Sequence, residues 1–190
     1  MCKKSYPMFI ETQETPNENS LKFLPGCDVL TCDETYFFEK GKPIGSPLAR
    51  EILEFCESIL LGRDFITVTK HPSESWDIIK PLVCDLIVEH FENGLDILDK
   101  GYVESQDSLY AEDDPIIRQI RAILDTKVRP AVAQDGGDII FDSFKEGVVY
   151  LKMQGACSGC PKSTLTLKNG IENMLKHYVP EVQEVKAVYG

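Results

Sequence analysis

Residues 138–161 read DIIFDSFKEGVVYLKMQGACSGCP. Asp138–Phe144 and Val148–Met153 are β-branched and aromatic, and Lys145-Glu146-Gly147 between them is a turn, so the stretch predicts a pair of strands. Cys157 and Cys160 follow, and Pro161 is placed as an early helical residue. Upstream, Asp114-Pro115 is a helix-start signal, and Ile117, Ile120, Ile123-Leu124 and Val128 form an apolar face. Gln134-Asp135-Gly136-Gly137 ends that helix. Downstream, Leu165, Ile171, Met174-Leu175 and Tyr178 mark a second helix, stopped by Val179-Pro180, and Val182–Tyr189 reads as a last strand. The resulting order, α-β-β-α-β, predicts a small α+β domain.

The front half has its own pattern. Met8–Thr12 and Leu21–Leu24 are short apolar-rich runs separated by turn residues, a hairpin with a long loop. Ser46 is an N-cap with Pro47 at the first helical position. Leu48, Ile52, Phe55 and Ile59 then follow at helical spacing. Phe65–Thr69 reads as a strand, and Trp76 to Phe91 as a helix with Trp76, Ile79, Val83, Leu86, Ile87 and His90-Phe91 on or near one face and Pro81 inside it. Asn93-Gly94 stops that helix. Residues 99–114 are polar and acidic with no sustained period, which reads as a linker. The expectation is two small α+β domains, residues 1–98 and 115–190, joined by an acidic linker at 99–114.

Composition narrows the function. The chain has 190 residues and a formal net charge of −11. Residues 1–100 carry 10 Lys and Arg against 18 Asp and Glu, residues 101–114 carry five acids and no base, and residues 115–190 carry 10 bases against 8 acids. Nucleic-acid binding is not expected, because phosphate neutralisation needs a basic face. No apolar run approaches the roughly 18 residues needed to span a bilayer, so no membrane-spanning helix is expected. The N-terminus, MCKKSYPMFIETQ, has no apolar core after its lysines and does not read as a secretory signal. The expected location is the bacterial cytoplasm, with the mitochondrial matrix, as a processed form, the alternative.

Seven cysteines stand at irregular spacing in a chain too long for a disulfide scaffold, so a reducing compartment is the simpler reading. There, close pairs mean metal or redox chemistry. Cys157 and Cys160 lie where a strand ends and a helix begins, and free N–H groups at a helix start favour anionic sulfur. Thiolate binds metal, and its pKa falls at such places. Gly155 and Gly159 allow close backbone approach, and Lys162 adds positive charge. The domain supplies two such donors. Its single histidine, His177, is about five turns down the helix and out of reach. One route to four ligands is a second copy of the chain, whose pair completes the Cys₄ set of a cubane iron–sulfur cluster or of tetrahedral zinc. Zinc and redox readings stay open at this point. A zinc-held interaction module uses the same donors. A thiol–disulfide oxidoreductase also places C-x-x-C between strand and helix, although Gly155-Ala156 and the α-β-β-α-β order do not suit that fold.

IRAILDTKVRPAVAQDGGDI, GVVYLKMQGACSGCPKSTLTLKNGIENMLK and VPEVQEV resemble the NifU C-terminal, or Nfu-type, domain. FIETQETPNENSLKFLPG, SPLARE, FITVTK, Trp76 and EHFENG resemble the Nfu N-terminal domain. Together they cover about nine-tenths of the chain in the order found in bacterial and mitochondrial Nfu proteins. The resemblance implies a carrier or late scaffold, not an enzyme, that holds a 4Fe–4S cluster. It implies that Cys157 and Cys160 are the ligands and that the cluster bridges a homodimer. Its implied partners are a second copy of the chain, an upstream iron–sulfur scaffold and recipient apoproteins.

The remaining candidates have plainer readings. Cys27 and Cys32 read as free surface thiols rather than a C-x₄-C ligand pair, and Cys56 and Cys84 as small core residues. Trp76 reads as a helix-start core residue before a partner anchor, and His71 and His90 as structural or solvated. Asp135-Gly136-Gly137-Asp138 needs no ligand as a helix stop and turn.

Overall fold

A computed structural model describes residues 8–32, 34–102, 114–158 and 161–188, with the backbone alone at 161–164. The chain divides into two units, Met1–Glu104 and Ser105–Gly190. Each has helices, strands and its own core, so the chain is α+β as expected.

The front unit is built on a five-stranded antiparallel sheet. Its strands are β1 (Glu11–Glu14), β2 (Ser20–Leu24), β3 (Tyr36–Glu39), β4 (Ser58–Leu61) and β5 (Ile66–Thr69), in the order β1-β2-β5-β4-β3. Register places Leu21 and Ile59 beside Val68, and Phe23 and Leu61 beside Ile66. These six share a core with Leu48, Ala49 and Ile52 of helix α1 (Pro47–Ile52) and Ile79, Val83 and Ile87 of helix α2 (Trp76–Glu92). Ser46 caps α1 by accepting from the Ala49 N–H, and Ser75 caps α2 by accepting from the Asp77 N–H. Pro81 sits inside the continuous α2, which is capped at Asn93 and leaves through Gly94 at φ 63°.

Three sequence expectations change here. The helix beginning at Pro47 stops at Ile52 and does not run on to Ile59. Ser58–Leu61 is instead an inner strand, buried at every position. A strand covered on both faces reads as an unbroken apolar run and mimics a helical face over four residues. Strand β3, at the sheet edge, also escapes the sequence reading, because YFFE has no alternation. The linker also begins later than residue 99. The Asp99 N–H donates to the Gly45 carbonyl at 2.9 Å, Arg50 grips the Asp99 carboxylate at 2.7 and 3.0 Å, and Tyr102 packs against the front core. Residues 103–113 of the expected linker lie outside the described residues.

The rear unit follows the order α-β-β-α-β. Asp114 caps helix α3 (Pro115–Ile123), accepting from the Ile116 N–H at 2.8 Å. A π-helical turn, Leu124–Val128, leads into α4 (Arg129–Gln134). Pro130 has no N–H to give the carbonyl of Thr126, and a wider turn just before it accommodates the missing bond. Strands β6 (Gly137–Lys145) and β7 (Val148–Gly155) form a hairpin whose two loop residues, Glu146 and Gly147, have φ 50° and 79°, as a tight primed turn requires. Helix α5 (Pro161–Tyr178) crosses over to β8 (Glu184–Val188), which pairs parallel with β7. Ile120, Ile123, Leu124, Val128 and Val132 from the helical run and Ile171 and Leu175 from α5 meet Ile139, Val149, Leu151, Met153 and Val185 of the sheet in one core.

Candidate functional site

The site begins where β7 ends. Gly155, at φ 61°, turns the chain out of the strand, a conformation that costs glycine little. The Ala156 N–H then donates to the Gly136 carbonyl at 3.1 Å, tying the turn to the start of β6. The Cys157 N–H reaches the Gln154 carbonyl at 3.3 Å. Ser158 closes the turn twice on the Gly155 carbonyl, through its N–H at 3.0 Å and its Oγ–H at 2.8 Å.

This turn carries Cys157 inward. Its side chain is only 7% exposed and belongs to the rear core. Burial, with Asp135 and then Asp138 adding negative charge nearby, pushes the thiol up to about 12. That corrects the expectation of a thiolate favoured by a helix start. Cys157 stands four residues before the first residue of α5, on the strand side, where the core desolvates it. Cys160 and Gly159 lie outside the described residues, as does the Lys162 side chain. His177 is near the far end of α5, edge-on to Tyr178 at 4.9 Å between ring centres. Among the described residues, no group of three or more His, Cys, Asp and Glu side chains is arranged to hold a metal ion.

Three residues beside the turn carried no signal of their own as a site. Gly137 faces Cys157 so closely that a Cβ there would collide with Sγ. Asp138, 2% exposed, takes a two-pronged grip from Arg129, with Nε and Nη2 each 2.8 Å from one carboxylate oxygen. That grip holds the Arg129 guanidinium well above its ordinary pKa. The DGGD stretch serves as the expected helix stop, with Gly136 at φ 75°, and is also the surface on which Cys157 rests. The only sequence hint was two adjacent glycines where one suffices to end a helix.

The other candidates separate clearly. Cys56 is 1% exposed and Cys84 half-buried, and burial raises both thiols. Cys32 is an exposed free thiol, as expected. Cys27 is not, because it is disulfide-bonded; it lies just past the Gly26 turn, where the chain leaves β2. Trp76 opens α2 partly buried, its indole N–H donating to the Glu18 carbonyl at 3.0 Å and its ring tilted against Phe23. His71 is exposed and bonded to Ser73, whereas His90 is buried and its pKa lowered by desolvation.

Comparison with known proteins places both units. Residues 120–186 match the model of the NifU-like domain, and residues 10–94 match that of the scaffold protein Nfu/NifU N terminal. The mitochondrial NFU1 iron–sulfur cluster scaffold homologue of Drosophila sechellia is 46% identical over 191 residues, covering 99% of this chain and 67% of that protein. The chain belongs to the Nfu family of iron–sulfur cluster scaffold proteins. The Drosophila persimilis homologue is 47% identical over 185 residues, 96% of this chain and 66% of its own length. The chain thus spans about two thirds of the length of these curated Nfu relatives. A solution structure of a NifU-like protein from Saccharomyces cerevisiae shares 30% identity over 53% of this chain and 92% of that one, at a TM-score of 0.46, a likeness too loose to carry an argument. The Nfu relatives are named as scaffolds, so the family's work is cluster assembly and not enzymatic turnover. They are also named mitochondrial, which overturns the expectation of a bacterial cytoplasmic protein.

Proposed function

We propose that this Nfu protein acts in mitochondria as a carrier that binds a 4Fe–4S cluster between two copies of the chain. Cys157 and Cys160 of each copy supply the four thiolates. The cluster arrives from an upstream iron–sulfur scaffold and leaves for recipient apoproteins. The two domains divide the work, the rear one holding the cluster and the front one selecting partners.

The observation that supports this most directly is the position of Cys157, at the β7–α5 junction of the NifU-like domain, in a unit whose whole cysteine complement is Cys157 and Cys160. Two sulfurs make half of a cubane's ligand set. Each Fe–S bond forms as the thiol loses its proton to solvent, and each breaks when a recipient's thiolate takes the iron, so transfer is ligand exchange with no net redox change.

Anaerobic reconstitution with iron and sulfide tests the proposal. The expected product is a dimer with about four iron and four sulfide per two chains, its type read by Mössbauer spectroscopy. Cys157→Ser and Cys160→Ser should each abolish loading. A loaded monomer, or full loading in both variants, refutes it.

A further inference from the structure

Cys157 must reach a cluster, yet its sulfur is stored inside the rear core. The site that receives it is specific. Gly137 is not among the glycines with positive φ, so its backbone does not call for glycine. The contact does. A Cβ at Gly137 would collide with Cys157 Sγ and come within 3.2 Å of the Cys157 Cβ and N. The surrounding turn is pinned from both sides. Arg129 clamps Asp138, and the same carboxylate accepts the Ile139 N–H at 2.8 Å. The Gly136 carbonyl holds Ala156, and Ser158 folds back on Gly155.

We propose that Gly137 is a seat that stores the Cys157 sulfur in the metal-free domain, that Arg129 and Asp138 are positioning residues that hold the seat, and that residues 155–158 must swing off it before a cluster can bind. The inference rests on Cys157 being a ligand. It adds that the ligand is sheltered from oxidants and reagents until the turn opens. Cluster uptake therefore includes an opening step whose rate no longer rises once iron and sulfide are in excess.

The test uses the metal-free full chain, N-ethylmaleimide, and mass spectrometry that resolves each cysteine peptide. Exposed Cys32 serves as the internal reference. Cys157 should label at least about tenfold more slowly than Cys32, as a thiol reached only by local opening. Gly137→Ala should speed Cys157 labelling about tenfold by denying the sulfur its seat, while Cys32 and Cys56 keep their rates and amide exchange across Ile139–Leu151 is unchanged. Arg129→Lys, which keeps the charge and loses the fork, should speed it about threefold. Labelling of Cys157 as fast as Cys32, or no change in Gly137→Ala, overturns the proposal. Should Gly137→Ala unfold the domain, Ser158→Ala decides. It removes the Oγ bond to Gly155 and should speed labelling about threefold, and an unchanged rate overturns the seat. Cluster loading of Cys157→Ser is scored separately. Retained loading would refute the ligand assignment while leaving the labelling result to judge the seat.

Discussion

Cys56 and Cys157 are both buried, at 1% and 7% exposure, and burial pushes each thiol up to about 12. What surrounds them differs. Cys56 follows the end of α1, its N–H bonded to the Ile52 carbonyl at 3.1 Å, and is one of many apolar groups filling the front core. Cys157 sits in a turn of four residues, against a glycine kept bare for it, and three positions before another cysteine. A small apolar side chain serves equally well at Cys56. At Cys157 the sulfur is held by a turn rather than by an element, and a turn can open at less cost than a core strand. Burial and a raised pKa therefore do not separate Cys56, a core residue, from Cys157, the proposed ligand. The element that presents the sulfur does.

The sharpest way to break this comparison is paired substitution. Cys157→Ser should lose all cluster loading, measured as iron and sulfide bound, while Cys56→Ser keeps it and instead costs about 1–3 kcal/mol of stability for an imperfectly bonded buried hydroxyl. Equal loading in the two variants would erase the distinction. Next in size, Ile59→Ala in the core that holds Cys56 and Leu151→Ala in the core that holds Cys157 remove fully buried side chains and should each cost about 2–5 kcal/mol in urea unfolding. Cluster loading should survive Ile59→Ala wherever the chain remains folded.

The pH dependence sharpens the comparison further. Both thiols are raised from an ordinary 9.0 to about 12, so between those values the unfolded chain has lost protons that the native chain keeps. Their contribution is fully present below pH 9 and is lost as pH rises towards 12. Urea midpoints should fall on that limb, and less so in Cys56→Ala and in Cys157→Ala. On the acid side the two units part. His90, in the front core, has its pKa lowered by burial, against the opposing pull of Glu51 and Asp96, and its Nε2 has no hydrogen-bond partner among the described residues. The unfolded chain binds its proton first as pH falls below the ordinary value near 6.5. Front-unit stability should decline there, and His90→Leu should flatten the decline. The smallest effects are at the caps. Ser46→Ala in the front unit and Asp114→Ala in the rear one should each cost about 1 kcal/mol, read as a shift in urea midpoint.

Much of the fold is legible in the order of residues alone. The caps at Ser46 and Asp114, the stop at Asn93-Gly94, the β6–β7 hairpin and the rear α-β-β-α-β order all follow from residues within a few positions of one another. Such signals are local, and a sequence displays them directly. The failures share one cause. Ser58–Leu61 became an inner strand because β3 and β5 cover its two edges, and Asp99 left the linker because Arg50, 49 residues away, holds it. Neither neighbour is near in the chain.

The sequence by itself determined the fold class, the pair of cysteines and the count of two sulfurs in the rear unit, because residue identity, spacing and hydrophobic period encode those directly. Only the tertiary structure decided that Cys157 is turned inward, that its thiol is raised rather than lowered, and that Gly137 lies against it beside the Arg129–Asp138 pair. The physical reason is that desolvation and steric fit depend on which atoms meet through space, and Gly137 and Cys157 meet only once β6 and β7 have paired.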